Sequence, residues 1–333
     1  MNEPVMNEPA LSEPELDDTE STATRFTAPP APKTRRQKVF AVLPTLLTLS
    51  NAVCGFGAIT LCARVGPDML AAASDAAAVA GGVDAASIPL ITLFHASQLI
   101  FLAMLFDMLD GSAARLTNQT SEFGAQLDSL CDAVSFGVAP AFIMLKLTHP
   151  DNNLLHSLTQ PPFEYPARIL WAIAALFMLC AILRLARFNV ETDDEDSHSH
   201  FSGLPSPAAA GVIAAFPIGL KGLHDLTIEG NVKWARPVTD FLLPALSLLL
   251  PLIALTVAIL MVSRVRYAHV FNQLVRGERG RRQLLKMVFA LVLVFVVREM
   301  ALPLIFCYFA LAAPLQAFVQ KQMQRWRNRT ASR

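Results

Sequence analysis

Four aspartates define the chemistry this chain can do. Asp107 and Asp110 lie three residues apart, and Asp128 and Asp132 lie four apart. Each spacing puts the two side chains of a pair on one face of a helix. A short connection between two such helices would bring all four carboxylates together. Four carboxylates repel strongly at the edge of a low-dielectric region. Divalent cations relieve that repulsion, and hard oxygen ligands suit Mg²⁺ or Mn²⁺. Four carboxylates suffice for two bridged metal ions, an arrangement used in phosphoryl displacement. The small residues agree with this. Gly111, Ala114 and Gly124 leave room for a bulky ligand, and Gly124, Asp128 and Asp132 recur every four residues along one stripe. Arg115 stands beside the carboxylates and can pair with phosphate oxygens. The alternative, ordinary interfacial charges at helix ends, would account for one aspartate but not for four at helical spacing.

The elements that must position these residues are membrane spans. Of the 333 residues, 53% are hydrophobic and only 16% charged, with a mean hydropathy of +0.44. A soluble chain usually carries about 25% charged residues. The deficit comes from long apolar runs with the charges between them, the pattern of an all-α integral membrane protein. Candidate spans are 42–64, 88–110, 124–147, 167–188, 204–220, 239–262, 284–298 and 301–318, the last two short and close together. They bound a transmembrane domain over 39–320. Residues 1–38 read as a disordered cytosolic tail without the apolar core of a cleavable signal. Residues 321–333 read as a basic tail. Lys33, Arg35, Arg36 and Lys38 precede the first span and suit anionic headgroups. No internal repeat is visible, which argues against a duplicated transporter plan.

Lys and Arg placement orients the spans with both termini in the cytoplasm. The stretches 66–87 and 149–166 lack Lys and Arg and are expected outside. The segment 264–286 and the carboxyl-terminal tail are strongly basic and fall on the side of the amino-terminal cluster. The loop 221–238, expected outside, dissents with Lys221, Lys233 and Arg236. This topology puts the aspartates at the cytoplasmic ends of the second and third spans. The net charge is zero, so the total points to no nucleic-acid partner. Cys54, Cys62, Cys131, Cys180 and Cys307 are scattered through apolar runs and read as helix-packing residues.

The pattern D-x₂-D-G-x₂-A-R-x₈-G-x₃-D-x₃-D over 107–132 resembles the signature of the CDP-alcohol phosphatidyltransferase family, with every fixed position met. The resemblance implies that Asp107, Asp110, Asp128 and Asp132 ligate two Mg²⁺ or Mn²⁺ ions. It implies that Gly111, Ala114, Arg115 and Ser121 meet the CDP-lipid and that Asp132 deprotonates the attacking alcohol. The stretch Leu43, Pro44, Thr45, Leu46 matches a further nucleotide contact, with Thr45 where family members often have Asn or Asp. A homodimer is likewise implied by the resemblance alone.

The signature does not choose the alcohol. The segments 43–59, 128–141 and 184–210 are similar to the integral membrane type of phosphatidylserine synthase. This implies CDP-diacylglycerol and L-serine as substrates, CMP as product and a bacterial cell membrane as location. Serine carries a carboxylate, so its site should offer cations or donors. Arg184 and Arg187 share a helix face at the end of the fourth span, with Ser135 and Asn189 as further polar candidates. Their plain alternative is positive-inside anchoring and local hydrogen bonding. His95 lies about 18 Å up the helix from Asp107, and is expected to be a buried hydrogen-bonding residue. His198 and His200 fall in a polar loop and give no reason for metal ligation. Pro205 and Pro207 restrict entry to the fifth span. Rival readings are another acceptor (glycerol phosphate, inositol phosphate or choline), a metal-ion transporter with intramembrane carboxylates, and an inactive relative.

Overall fold

The computed structural model describes residues 35–80, 87–117, 122–150, 163–192, 203–228, 235–265 and 301–331. All regular structure among them is helical: α1 Arg35–Arg64, α2 Pro67–Ala80, α3 Ser87–Thr117, α4 Glu122–Thr148, α5 Ala167–Thr192, α6 Ser206–Ile228, α7 Ala235–Val262 and α8 Ala301–Ala331. Six carry stretches long and apolar enough to cross a membrane: Leu43–Arg64, Ser87–Ala113, Glu122–Thr148, Ala167–Val190, Ser206–Leu226 and Phe241–Val262. They coincide closely with the first six spans expected from sequence. Helix is the outcome because apolar side chains favour lipid, where a backbone must satisfy its own polar groups.

The last two expected spans fare differently. The run 284–298 lies outside the described residues. The run 301–318 belongs to α8, but its apolar part, Ala301–Leu315, is shorter than the other six. Helix then continues through the basic segment to Ala331. At the other end, helix begins at Arg35, so part of the basic cluster expected in the tail is already helical. The stretch expected as an outward connection after the first span contains helix α2.

The four spans nearest the aspartates alternate in direction, as their contacts record. At one end of the bundle, the beginning of α1 meets the beginning of α4 through Asn51 and Asp132, while Ser129 of α4 meets Asn189 near the end of α5. At the opposite end, Lys146 near the end of α4 donates to the Val65 carbonyl just past α1, at 2.7 Å. This caps a carbonyl that the helix end leaves unpaired. The α6 stretch is the most enclosed, 83% buried against 33% for that of α1, so α6 forms the interior. Helices α3, α7 and α8 pack around it. Phe306 of α8 lies across Gly211 of α6, and a side chain there would force the ring to shift.

Two local irregularities shape the site. Helix α4 widens to a π-helical turn over Ala133–Val138, immediately after Asp132, and the Ala139 N–H reaches back to the Val134 carbonyl. Pro140 explains the break: it has no N–H for the carbonyl four residues back, and its ring crowds that carbonyl. The second irregularity is Gly203, at φ +91°, just before α6. Its N–H donates to the Val265 carbonyl at 2.8 Å, and the Leu204 N–H donates to Leu260 at 3.1 Å. The entry to α6 is thereby latched to the end of α7. A side chain at position 203 would run into the Met261 carbonyl.

Candidate active site

The end of α3 supplies Asp107 and Asp110, and the start of α4 supplies Asp128 and Asp132. One carboxylate oxygen from each of Asp107, Asp110 and Asp128 falls within 4.8 Å of the others. Asp132 stands one turn further along α4, outside that closest group. Asp110 and Asp132 are buried, at 5% and 7% exposure. Buried charges of one sign are stable only when paired or bound to metal. Two oxygens of the cluster, Asp110 Oδ2 and Asp128 Oδ1, are buried and receive no hydrogen bond among the described residues. Each such orphan costs about 1–3 kcal/mol or more. A divalent cation would satisfy both, so the donor set fits the oxygen-liganded metal anticipated from the sequence.

Asp132 has its own partner. Asn51 Nδ2 of α1 donates to Asp132 Oδ1 at 2.8 Å. One turn earlier on α1, the buried Thr48 hydroxyl lies within reach of the Asp110 carboxylate and also bonds to the Pro44 carbonyl at 3.0 Å. Helix α1 therefore lines the carboxylates with two buried polar side chains. Neither was singled out from sequence. The available signal was weak: two polar residues three apart inside an apolar run, on the helix face that also carries Gly55.

The remaining sequence candidates fall into three groups. Leu43, Thr45 and Leu46 are exposed and Pro44 is half-buried, all on the first turns of the α1 span. Gly111 borders Asp110, and a Cβ added there would meet nothing within 4 Å. That open face suits close approach by a ligand. Ala114 and Arg115 belong to the last turn of α3, but their side chains are not among those described, and Ser121 lies outside the described residues.

The acceptor candidates gather on the α5 side. Arg184 sits within electrostatic range of Asp132. Its Nη1 donates to Ser206 Oγ at 3.2 Å, while its Nε is buried with no partner among the described residues. Asn189 Oδ1 accepts from Ser129 Oγ at 3.1 Å. Arg187 is half-buried on the same helix. Ser135 is fully buried, and its Oγ donates to the Asn51 carbonyl at 2.9 Å. His95 pairs with Gln98 at 3.0 Å but is exposed, not buried as expected, because its face of α3 turns outward. His198 and His200 lie outside the described residues. Four of the cysteines are buried and the fifth, Cys307, is half-buried; all are free.

The family model for CDP-alcohol phosphatidyltransferases matches residues 41–241. The chain belongs to this family. The matched region runs from within α1 to the start of α7 and holds the four aspartates, Asn51, Thr48, Ser135 and the Arg184–Ser206 pair. A CDP-diacylglycerol–serine O-phosphatidyltransferase of Helicobacter pylori strain 26695 is 35% identical over 186 residues, covering 54% of this chain and 65% of the relative. One of Methanocaldococcus jannaschii is 41% identical over 127 residues, 38% of this chain and 52% of the relative. An archaetidylserine synthase of Methanothermobacter thermautotrophicus is 36% identical over 179 residues, 53% of this chain and 58% of the relative. The chain thus spans less than two thirds of the length of these curated relatives. As in the sequence pattern, the CDP-alcohol phosphatidyltransferase signature here straddles two antiparallel helices, and the fold closes it with α1 and α5.

Proposed function

We propose that this chain is a CDP-diacylglycerol–serine O-phosphatidyltransferase: it transfers the phosphatidyl group of CDP-diacylglycerol to L-serine and releases CMP. The observation that carries the reaction class is the convergence of Asp107, Asp110 and Asp128 beside a separately held Asp132. Serine as acceptor draws support from the relatives named above and from Arg184. A half-buried guanidinium close to Asp132, its Nε without a partner among the described residues, suits the carboxylate of an amino-acid acceptor. Arg187, Asn189 and Ser135 stand nearby as further acceptor-side candidates.

In this reading Asp107, Asp110, Asp128 and Asp132 hold two divalent ions, Mg²⁺ or Mn²⁺. When bound, these supply Lewis-acid neutralisation of the diphosphate. Asp132 accepts the proton of the serine hydroxyl. The serine oxygen forms a bond to the lipid-side phosphorus, and the anhydride bond to CMP breaks. One phosphate linkage replaces another, so no external energy source enters. Leu43, Pro44, Thr45, Leu46, Gly111, Ala114, Arg115 and Ser121 receive the CDP-lipid, whose acyl chains remain in the bilayer. The distribution of Lys and Arg favours a cytoplasm-facing site and cytoplasmic termini in a bacterial cell membrane. A homodimer is the assembly this family reading carries with it.

The test is an acceptor screen. Purified protein receives CDP-diacylglycerol, Mn²⁺ or Mg²⁺, and labelled serine, glycerol phosphate, inositol phosphate or choline. The expected result is metal-dependent CMP release with label from serine in lipid. Label from glycerol phosphate but not serine would replace the acceptor and keep the chemistry. Metal uptake into vesicles without CMP release would favour the transporter reading, although the clustering of the acidic residues on one helix pair speaks against it.

A further inference from the structure

Asn51 is fully buried at the site, with no exposed surface. It is held at both ends. Its backbone carbonyl accepts from Ser135 Oγ at 2.9 Å, and its Nδ2 donates to Asp132 Oδ1 at 2.8 Å. Close approach of α4 makes both bonds possible. Gly55, one turn along α1, lies against Ser135, where an added Cβ would come within 2.7 Å of the Ser135 Cα.

The other half of the amide is unsatisfied. Asn51 Oδ1 is buried and has no hydrogen-bond partner among the described residues. An amide in an apolar span with its carbonyl unpaired loses stability relative to an apolar residue of similar shape. Leucine is such a residue. Packing alone therefore gives no reason for asparagine at this position, and what distinguishes asparagine is the N–H it offers to Asp132. A carboxylate turns easily about its terminal torsion, whose energy wells are broad. A single donor on Oδ1 removes that freedom and leaves Oδ2 as the oxygen available for work.

We infer that Asn51 is a positioning residue for the transfer reaction: its amide fixes Asp132 Oδ1 so that Oδ2 faces the acceptor hydroxyl. This rests on the reading of Asp132 as the base. Orientation of a reacting group is worth large factors in rate, and a small misplacement can cost about 100-fold. Because Asn51 touches the base and not the substrates, its loss acts on turnover rather than on substrate affinity.

The experiment compares full-length wild type, Asn51→Leu and Asn51→Ser, purified in lipid nanodiscs. Serine donates only a short hydroxyl that does not span the gap to Asp132. For both variants kcat is expected to fall about 100-fold. The KM for CDP-diacylglycerol and for the acceptor should stay within about threefold, since uniform binding is untouched. Mn²⁺ binding, counted by electron paramagnetic resonance, should match wild type. The melting temperature of Asn51→Leu should equal or exceed that of wild type. A drop in melting temperature or failure to assemble in both variants makes the amide structural and overturns the inference. So does turnover within twofold of wild type. An Asp132→Asn control separates the two readings. Retained turnover there removes the base assignment itself, whereas a dead Asp132→Asn beside an active Asn51→Leu removes only the role of Asn51. If the screen names another alcohol, the same split is measured with that alcohol.

Discussion

Replacing Asp128 by asparagine tests the carboxylate cluster most directly. The oxygens of Asp107, Asp110 and Asp128 approach within 4.8 Å, so each ionised pair repels by about 3.5 kcal/mol or more at an effective dielectric of about 20. Asp128 takes part in two of the three pairs. Asp128→Asn removes both repulsions while preserving side-chain volume. Water and salt at the polar end of the bundle screen most of this, leaving a residual of about 1 kcal/mol, the upper range for solvated pairs. That corresponds to about 2 °C in melting temperature for a large domain. The assay is thermal unfolding with a chelator and then with Mn²⁺, alongside CMP release. In chelator, the variant should melt about 2 °C above wild type. Added Mn²⁺ should raise the wild-type melting temperature clearly and that of the variant little, because binding to the native state stabilises it by mass action. CMP release should fall at least about 100-fold, the scale on which electrostatic stabilisation operates. A wild type indifferent to chelation, with Asp128→Asn melting lower than wild type in chelator, would refute the metal-site reasoning.

Two further substitutions probe the framework. Gly55→Ala should push α4 away from α1, because its Cβ would come within 2.7 Å of the Ser135 Cα; the expected outcome is a loss of about 1–3 kcal/mol in stability, read by thermal unfolding, with turnover falling as Asn51 leaves Asp132. Gly203→Ala should cost at least about 1–2 kcal/mol, because Gly203 holds φ +91°. If the proposed acceptor site is right, it should also raise the KM for serine, measured by label transfer, because Gly203 fastens the start of α6, whose Ser206 accepts from Arg184.

The first six spans were legible because bilayer thickness fixes span length, and the apolar runs from 42 to 262 meet it without competing signals. The aspartates were legible for a comparable reason: spacings of three and four translate directly into a shared helix face. What escaped were contacts between residues distant in sequence. Asn51 and Asp132 are 81 positions apart, and nothing local to either announces the other. Read alone, Asn51 is one tolerated polar residue in an apolar run. Ser206 likewise gains meaning only because the backbone at Gly203 fastens the start of α6 beside Arg184. His95 was placed correctly as a local hydrogen-bonding residue but on the wrong side of its helix wall. Periodicity within one span does not say which face a neighbour will cover.

The π-helical turn joins these observations. Gly124, Asp128 and Asp132 form a stripe on regular helix, and a regular continuation would carry that stripe on through Phe136. The widened turn inserts an extra residue after Asp132 and shifts the phase of everything beyond it. Before the turn, α4 presents carboxylates to α3 and α1. After it, Ile143, Met144 and Leu147 are fully buried in the apolar core, as is Phe136 within the turn. One helix thus serves two environments, an ionic one at its start and an apolar one along its remainder, without exposing either face to the wrong one. Ser135, inside the turn, spans the two by bonding to the backbone of the residue that holds Asp132. The irregularity beside Pro140 thus holds Ser135 against Asn51, the residue that donates to the fourth aspartate. Under the proposed mechanism, the hydrogen bond from Asn51 is what singles out Asp132 among the four for the acceptor proton.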